Sequence, residues 1–291
     1  MADAQSVLHV RPEVVYQVST AGIGVVQRPL SFGQRLANQG ALRKTLVLVV
    51  LALIWEGYAR WVGNELLFPT FSATVAAFWR SMINGELPAA TWFSLSILFQ
   101  GYAAGLLLAG LLTAFASATR IGADLLEVLT AMFNPLPSIA LLPLAMIWFG
   151  LGTGGIVFVL IHAVLWSVAL NTHAGFRGVS PTWRMVGQNY GLSNIGYVIR
   201  ILIPGAFPSI LTGLKIGWAF AWRTLIAAEL VFGANSGGGG LGWFIFQSKN
   251  SLEIPSVFAG LLTVILLGLF VENFIFLTAE KMTIRRWGMQ H

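Results

Sequence analysis

Apolar runs long enough to cross a bilayer recur along this chain, separated by short polar joints. At 1.5 Å per helical residue, about 20 residues span roughly 30 Å of hydrocarbon. The pattern predicts six such helices, over residues 44–62, 92–118, 125–149, 156–173, 209–232 and 257–279. The stretch 71–82 is shorter and amphipathic, and reads as an interfacial helix. Residues 1–43 are mixed, with Pro12, Pro29 and scattered glycine, and read as a flexible arm; residues 281–291 form a short tail. No signal peptide is expected at Met1, because residues 1–40 lack a compact apolar core after a basic start.

The third span is irregular. It carries Pro135, Pro137 and Pro143. Each proline lacks an N–H and frees an upstream carbonyl, which hydrocarbon cannot satisfy. Such a helix is either kinked within packed protein or lines a cavity, which makes Pro137 and Pro143 candidate pathway residues. Two other spans carry small residues every four positions. Gly101, Gly105, Ala109 and Thr113 share one face, and Ser209, Gly213, Gly217 and Ala221 another. These faces admit close helix contact, within one subunit or across a dimer seam.

Composition supports the bilayer as solvent. Of the 291 residues 56% are hydrophobic and 10% charged, against roughly 25% charged in soluble domains. With no cysteine, disulfides and thiolate chemistry are excluded. The net charge of +6 does not mark a nucleic-acid binder, because the basic residues sit in loops between apolar runs. Placing the N-terminus inside assigns Arg11, Arg28, Arg35, Arg43, Lys44, Arg120, Arg177, Arg184, Arg200, Lys281, Arg285 and Arg286 to the cytoplasmic side. Only Arg80 and Lys249 fall outside. That asymmetry follows the positive-inside rule and places both termini in the cytoplasm, with six spans rather than five.

One inner segment is richer than a joint needs to be. Residues 177–204 exceed the roughly 2–8 residues that join neighbouring helices. Ser180 followed by Pro181 is a helix cap and a favoured first helical residue. Gly191 permits a turn after Tyr190. Ile195, Val198, Ile199 and Leu202 then fall on one helical face, and Pro204 is expected to end that helix. A helical hairpin of this kind suits a docking surface.

Enzymatic motifs are missing. No G-x-x-x-x-G-K-[ST] occurs, so the chain has no P-loop for nucleotide phosphates. The glycines at 237–240 read as a flexible outer turn. His162 and His173 lie three turns apart, roughly 16 Å, too far to share a metal ion. Among charges at membrane depth are Lys215, Arg223 and Glu229 in the fifth span. Each costs at least about 2.5–3.5 kcal/mol at the helix centre, so each needs a partner or water. An Arg223–Glu ion pair tying helices together and a cationic lining for an anion pathway both remain open.

The spacing around the hairpin resembles the EAA loop of ABC-transporter permeases, which runs Glu-Ala-Ala, three residues, Gly, nine residues, Ile-x-Leu-Pro. Here Gly191 and Ile201-Leu202-Ile203-Pro204 match, whereas Met185-Val186-Gly187 replaces Glu-Ala-Ala. PLPSIALLPLAMIWFGLG (135–152), PGAFPSILTGLKIGWAFAWRTLIAAEL (204–230) and RRWGM (285–289) look like permeases for nitrate, taurine, aliphatic sulfonates and bicarbonate. The resemblance covers about residues 45–289.

It implies an all-α membrane protein with the type I ABC importer permease fold: a five-helix core plus a first helix, and a cytoplasmic coupling-helix pair. Residues 44–280 then form the permease domain. Two permease subunits, by default identical, enclose one pathway. Two separate ATPase subunits, which hold ATP and Mg, dock below, and a soluble binding protein delivers the solute. No cofactor is expected on this chain. The implied coupling residues are Trp183, Arg184, Met185, Val186, Gly187, Tyr190, Gly191, Ile201 and Pro204, with Trp183, Met185 and Tyr190 packing on the ATPase. Lys215 and Arg223 would supply positive potential to the pathway. The rivals are a transporter driven by an ion gradient, a membrane-embedded enzyme and a non-transporting assembly subunit.

Overall fold

A computed structural model describes residues 39–192, 194–233 and 239–285. Most of the arm expected over 1–43, most of the tail and Gly237–Gly238 lie outside these. The chain divides into two units, 1–52 and 53–291. The described part of the first, residues 39–52, is almost entirely helical, with Leu46, Val47, Leu48 and Leu51 exposed.

The helices are α1 (Gly40–Val62), α2 (Phe71–Ile83), α3 (Glu86–Ala118), α4 (Arg120–Phe133), α5 (Leu142–Phe149), α6 (Thr153–Gly178), α7 (Pro181–Asn189), α8 (Asn194–Tyr197), α9 (Ile203–Phe232), α10 (Leu241–Asn250), α11 (Ile254–Phe270) and α12 (Leu277–Glu280). Among the described residues five helical stretches are long and apolar enough to span a membrane, and six if the bent α4–α5 pair counts as one.

Side-chain caps mark several starts. Thr70 Oγ1 accepts from the N–H of Ala73 at α2, and Thr119 Oγ1 from Gly122 at α4. At the C-terminal end of α1, Trp55 donates to the Pro69 carbonyl at 2.9 Å and packs its ring among Phe68, Phe71 and Phe258. This aromatic cluster pins the α1–α2 corner to the start of α11.

The central element is α6, packed between α9 and α3. Both stripes of small residues meet it. A Cβ on Gly101 would stand 2.5 Å from that of Leu160, and one on Gly105 2.7 Å from that of Val164. On the other side, a Cβ on Gly213 would meet Asn171 at 2.8 Å and one on Gly217 would meet Val168 at 3.1 Å. The two faces serve helix packing inside one subunit, and neither is available as a dimer seam.

Two expectations need correction. The third span is not one kinked helix: α4 and α5 meet at 87° across Asn134–Pro137, and a single 3-10 turn, Ser138–Leu141, leads into α5. Pro137 is extended (ψ 125°), as a residue lacking an N–H can be at no hydrogen-bonding loss. Pro143 lies in the first turn of α5, where an N–H has no intrahelical acceptor anyway. Likewise Pro204 does not end a helix. It occupies the first turn of α9, which continues directly from a π turn over Val198–Leu202. The wider winding of that turn breaks the expected apolar stripe. Ile195 and Ile199 are exposed, and the buried residues are Ile201 and Leu202.

Candidate functional site

The first site is the hairpin α7–α8. Ser180 Oγ accepts from the N–H of Trp183 at 3.4 Å, with Pro181 leading the helix. Arg184 turns back under its own helix. Its Nε donates to the Val179 carbonyl at 3.1 Å and its Nη2 to Phe176 at 2.5 Å. These carbonyls lie at the end of α6, where regular intrahelical donors run out, and that of Phe176 also accepts from the N–H of Val179 at 3.4 Å. Arg184 therefore fixes α7 to α6 and does not face outward with the coupling residues among which it was placed.

Gly191 adopts φ +68°, the left-handed region that suits glycine. The chain reverses there, with the N–H of Leu192 donating to the Gly187 carbonyl at 3.0 Å. Gly187 is buried beneath the returning segment. A Cβ there would stand 2.9 Å from Ile201 Cγ1 and 3.0 Å from the Tyr197 ring. In Met185-Val186-Gly187 the third position must therefore stay small, and the first two are free. Met185 and Val186 are exposed, beside Trp183 at 61% and Tyr190 at 81% exposure. The hairpin thus shows an apolar, aromatic outer face on a backbone held by a cap, a turn and an arginine clamp.

The second site is a cleft of about 380 Å³ where the Asn134–Ser138 corner approaches the middle of α6 and α9. Pro137 and Arg223 line it, with Ser138, His162, Trp166 and Phe220. Phe133 stacks on Trp166 at 5.3 Å and 12°, holding the indole upright. Ser138 Oγ lies 3.2 Å from His162 Nδ1. When that hydroxyl donates, the imidazole proton resides on Nε2. Among the described residues neither His162 Nε2 nor the Trp166 indole nitrogen has a hydrogen-bond partner, and both atoms are shut from solvent. A buried donor left unpaired costs about 1–3 kcal/mol. Arg223 is exposed to the cleft and belongs to neither ion pair found among the described residues.

The other two charges of α9 are occupied. Lys215 Nζ bonds Glu280 Oε2 at 3.0 Å. Glu229 is 1% exposed and lies outside the cleft. It accepts from Ser94 Oγ at 2.7 Å and from the N–H of Gly242 at 2.8 Å. Ser94 in turn accepts from the N–H of Leu241 at 2.8 Å. The carboxylate thereby caps the N-terminus of α10, where the helix dipole favours a negative group. Gly240 is no free hinge, since a Cβ on it would collide with that carboxylate. Glu229 is a structural staple, and no Arg223–Glu ion pair, one of the two alternatives left open, is found among the described residues.

Sequence reasoning missed Ser138, Trp166 and Phe220. A tryptophan or serine in an apolar span carries no functional signal until its hydrogen bonds can be inspected.

Helices long and apolar enough to cross a membrane, no strand among the described residues, and a structured hairpin between two of the candidate spans suit a permease-type subunit. Residues 101–284 match the family of binding-protein-dependent transport system inner membrane components, and the chain belongs to that family. It is a multi-pass inner-membrane ABC permease of the nitrate, taurine and sulfonate group. The nitrate import permease of Synechocystis is 27% identical over 266 residues, covering 88% of this chain and 94% of that protein. A putative aliphatic sulfonates transport permease of Escherichia coli is 29% identical over 226 residues, 76% of this chain and 82% of its own. The taurine transport system permease of the same organism is 32% identical over 148 residues, about half of each chain.

Proposed function

We propose that this chain is the transmembrane subunit of an ATP-driven importer that moves a small oxyanion of the sulfonate, taurine, nitrate or bicarbonate class by alternating access. Two copies enclose the pathway. Two ATPase subunits carrying ATP and Mg bind the α7–α8 hairpin on the cytoplasmic side, where both termini also lie, and a soluble binding protein delivers the solute to the opposite face. ATP hydrolysis takes place on the partner and not on this chain.

The observation that carries this reading is the hairpin. Its backbone is fixed by Ser180, Arg184 and Gly191, while Trp183, Met185 and Tyr190 are exposed on it. Exposed aromatic groups on a rigid support are what a docking helix offers a groove. Rigidity matters equally, because closure of the ATPases reaches the membrane helices only through a segment that does not yield. Here the load path runs through the Arg184 clamp to α6 and through the π turn to α9.

Gly191→Trp tests the assignment. Open space surrounds the Cβ position of Gly191, so the bulk itself meets no atom of the subunit. The left-handed backbone adds roughly 1–2 kcal/mol. Uptake is expected to be lost and ATPase activity uncoupled from solute, with membrane insertion unchanged. Gly191→Asn, which tolerates this conformation, should keep both coupled. Normal ATP-dependent uptake by the tryptophan variant overturns the assignment.

A further inference from the structure

The cleft at Arg223 has the parts of a binding site of its own. It lies between the middle of α6 and the central turns of α9, at a depth where an arginine needs a counter-charge or water. Lys215, the neighbouring cation on the same helix, is paired with Glu280, whereas Arg223 has no anionic partner among the described residues. Two further polar atoms of its lining residues, the indole nitrogen of Trp166 and Nε2 of His162, have no hydrogen-bond partner among the described residues, and both are shut from solvent. Arg223, Trp166 and His162 line one cleft, a set rich in donors when the His162 proton is on Nε2, and no carboxylate is among the lining residues. The rest of the lining is mixed: Pro135, Pro137, Ile139 and Phe220 give it an apolar part, beside the polar Asn134, Ser167 and Thr224. At about 30 Å³ per water, 380 Å³ holds roughly a dozen waters, more than a bare oxyanion fills.

We infer that this cleft is an anion-binding site within the membrane subunit itself, taking a small oxyanion with a short apolar tail, of the alkanesulfonate type. The inference rests on the importer reading for its biological sense, but it is a statement about binding. The oxyanion head meets Arg223 first, where the guanidinium is open to the cleft. The indole nitrogen of Trp166 and Nε2 of His162 are shut from solvent, so either reaches the head as a second donor only when its ring turns toward the cleft. The tail lies against Pro137 and Phe220. A site of this kind makes the membrane subunit a second selector after the solute is delivered, favouring anions over neutral molecules of equal size.

The test uses the full chain in lipid nanodiscs, labelled with 5-fluorotryptophan, with the Trp166 resonance assigned by its loss in Trp166→Phe. The probes are methane-, ethane-, propane- and butanesulfonate, with the neutral dimethyl sulfone as a control. A saturable shift of the Trp166 resonance is expected for the sulfonates, tightening up to fourfold per added methylene that becomes buried. Dimethyl sulfone should leave the resonance in place. Arg223→Gln should weaken binding at least tenfold while the other tryptophan resonances stay unmoved, and Arg223→Lys should retain part of it. The site is overturned by an unmoved resonance with all four sulfonates, by an equal response to dimethyl sulfone, by affinity flat along the series, or by unchanged binding in Arg223→Gln. Uptake by the assembled transporter, measured with and without ATP, separates the two readings. Binding with ATP-independent uptake removes the importer and keeps the site, and ATP-driven uptake without binding does the reverse.

Discussion

Arg223 and Glu229 stand six residues apart on one helix, α9, and the subunit treats them in opposite ways. Six residues turn a helix through 600°, so the two point about 120° apart. Glu229 faces α3 and the start of α10, where a hydroxyl and a backbone N–H bind its carboxylate directly. Arg223 lines the cleft and belongs to no ion pair among the described residues. The contrast separates two uses of charge at membrane depth. A charge whose hydrogen-bonding capacity is met holds helices together, and removing it damages the fold. A charge left unmet is a strain that the fold tolerates, and its removal should damage only what the cleft does.

The largest effect is therefore expected at the satisfied end. Glu229→Leu keeps approximate volume but leaves the Gly242 N–H and the Ser94 hydroxyl without their acceptor. Each such group costs about 1–3 kcal/mol. Thermal melting of the detergent-solubilised subunit should fall sharply, with a loss of about 3 kcal/mol or more. Glu229→Gln, which still offers an acceptor, should lose less. Equal melting of Glu229→Leu and the parent would show that the staple does not bear on stability.

Arg223→Gln is the next test and should reverse the pattern. With no ion pair to break, melting should stay within about 0.5 kcal/mol of the parent, the usual range for a side chain away from structural features. Oxyanion uptake by the assembled transporter should drop at least tenfold. A variant that melts early and transports normally makes Arg223 a structural residue, and the comparison with Glu229 collapses.

How much of this was readable in the sequence depends on the range of the interactions involved. The hairpin was legible because its signals are local: Ser180-Pro181 caps within three residues, and Gly191 turns within four. The membrane class and most span positions followed from apolar run length alone. The break at Asn134–Pro137 was half legible: three prolines announced an irregular span, but the 87° angle depends on what the two pieces pack against. The passage through Pro204 was misread because a π turn rewinds the register just upstream. Glu229 was illegible for another reason. Its partner Ser94 lies 135 residues earlier, and no local pattern announces a hydrogen bond across that distance. The unmet nitrogens of Trp166 and His162 are the extreme case, since an absent bond leaves no trace in a sequence.

The smallest expected effect belongs to a third charge on the same helix, and it sharpens the contrast most. Lys215 lies eight residues before Arg223, and by charge alone the two are equivalent candidates for an anion pathway. The structure distinguishes them: Lys215 reaches Glu280 at 3.0 Å, and about a quarter of each side chain remains exposed. A partly exposed pair of this kind is worth roughly 0.2–1 kcal/mol. It also cancels the positive potential that an approaching anion would feel. Lys215→Gln should then shift melting by less than about 1 kcal/mol and leave the transport rate and its ionic-strength dependence unchanged. If uptake instead falls as far as it does in Arg223→Gln, the Glu280 pair must open during the cycle. Occupancy of the partner in one conformation would then no longer tell a structural charge from a working one.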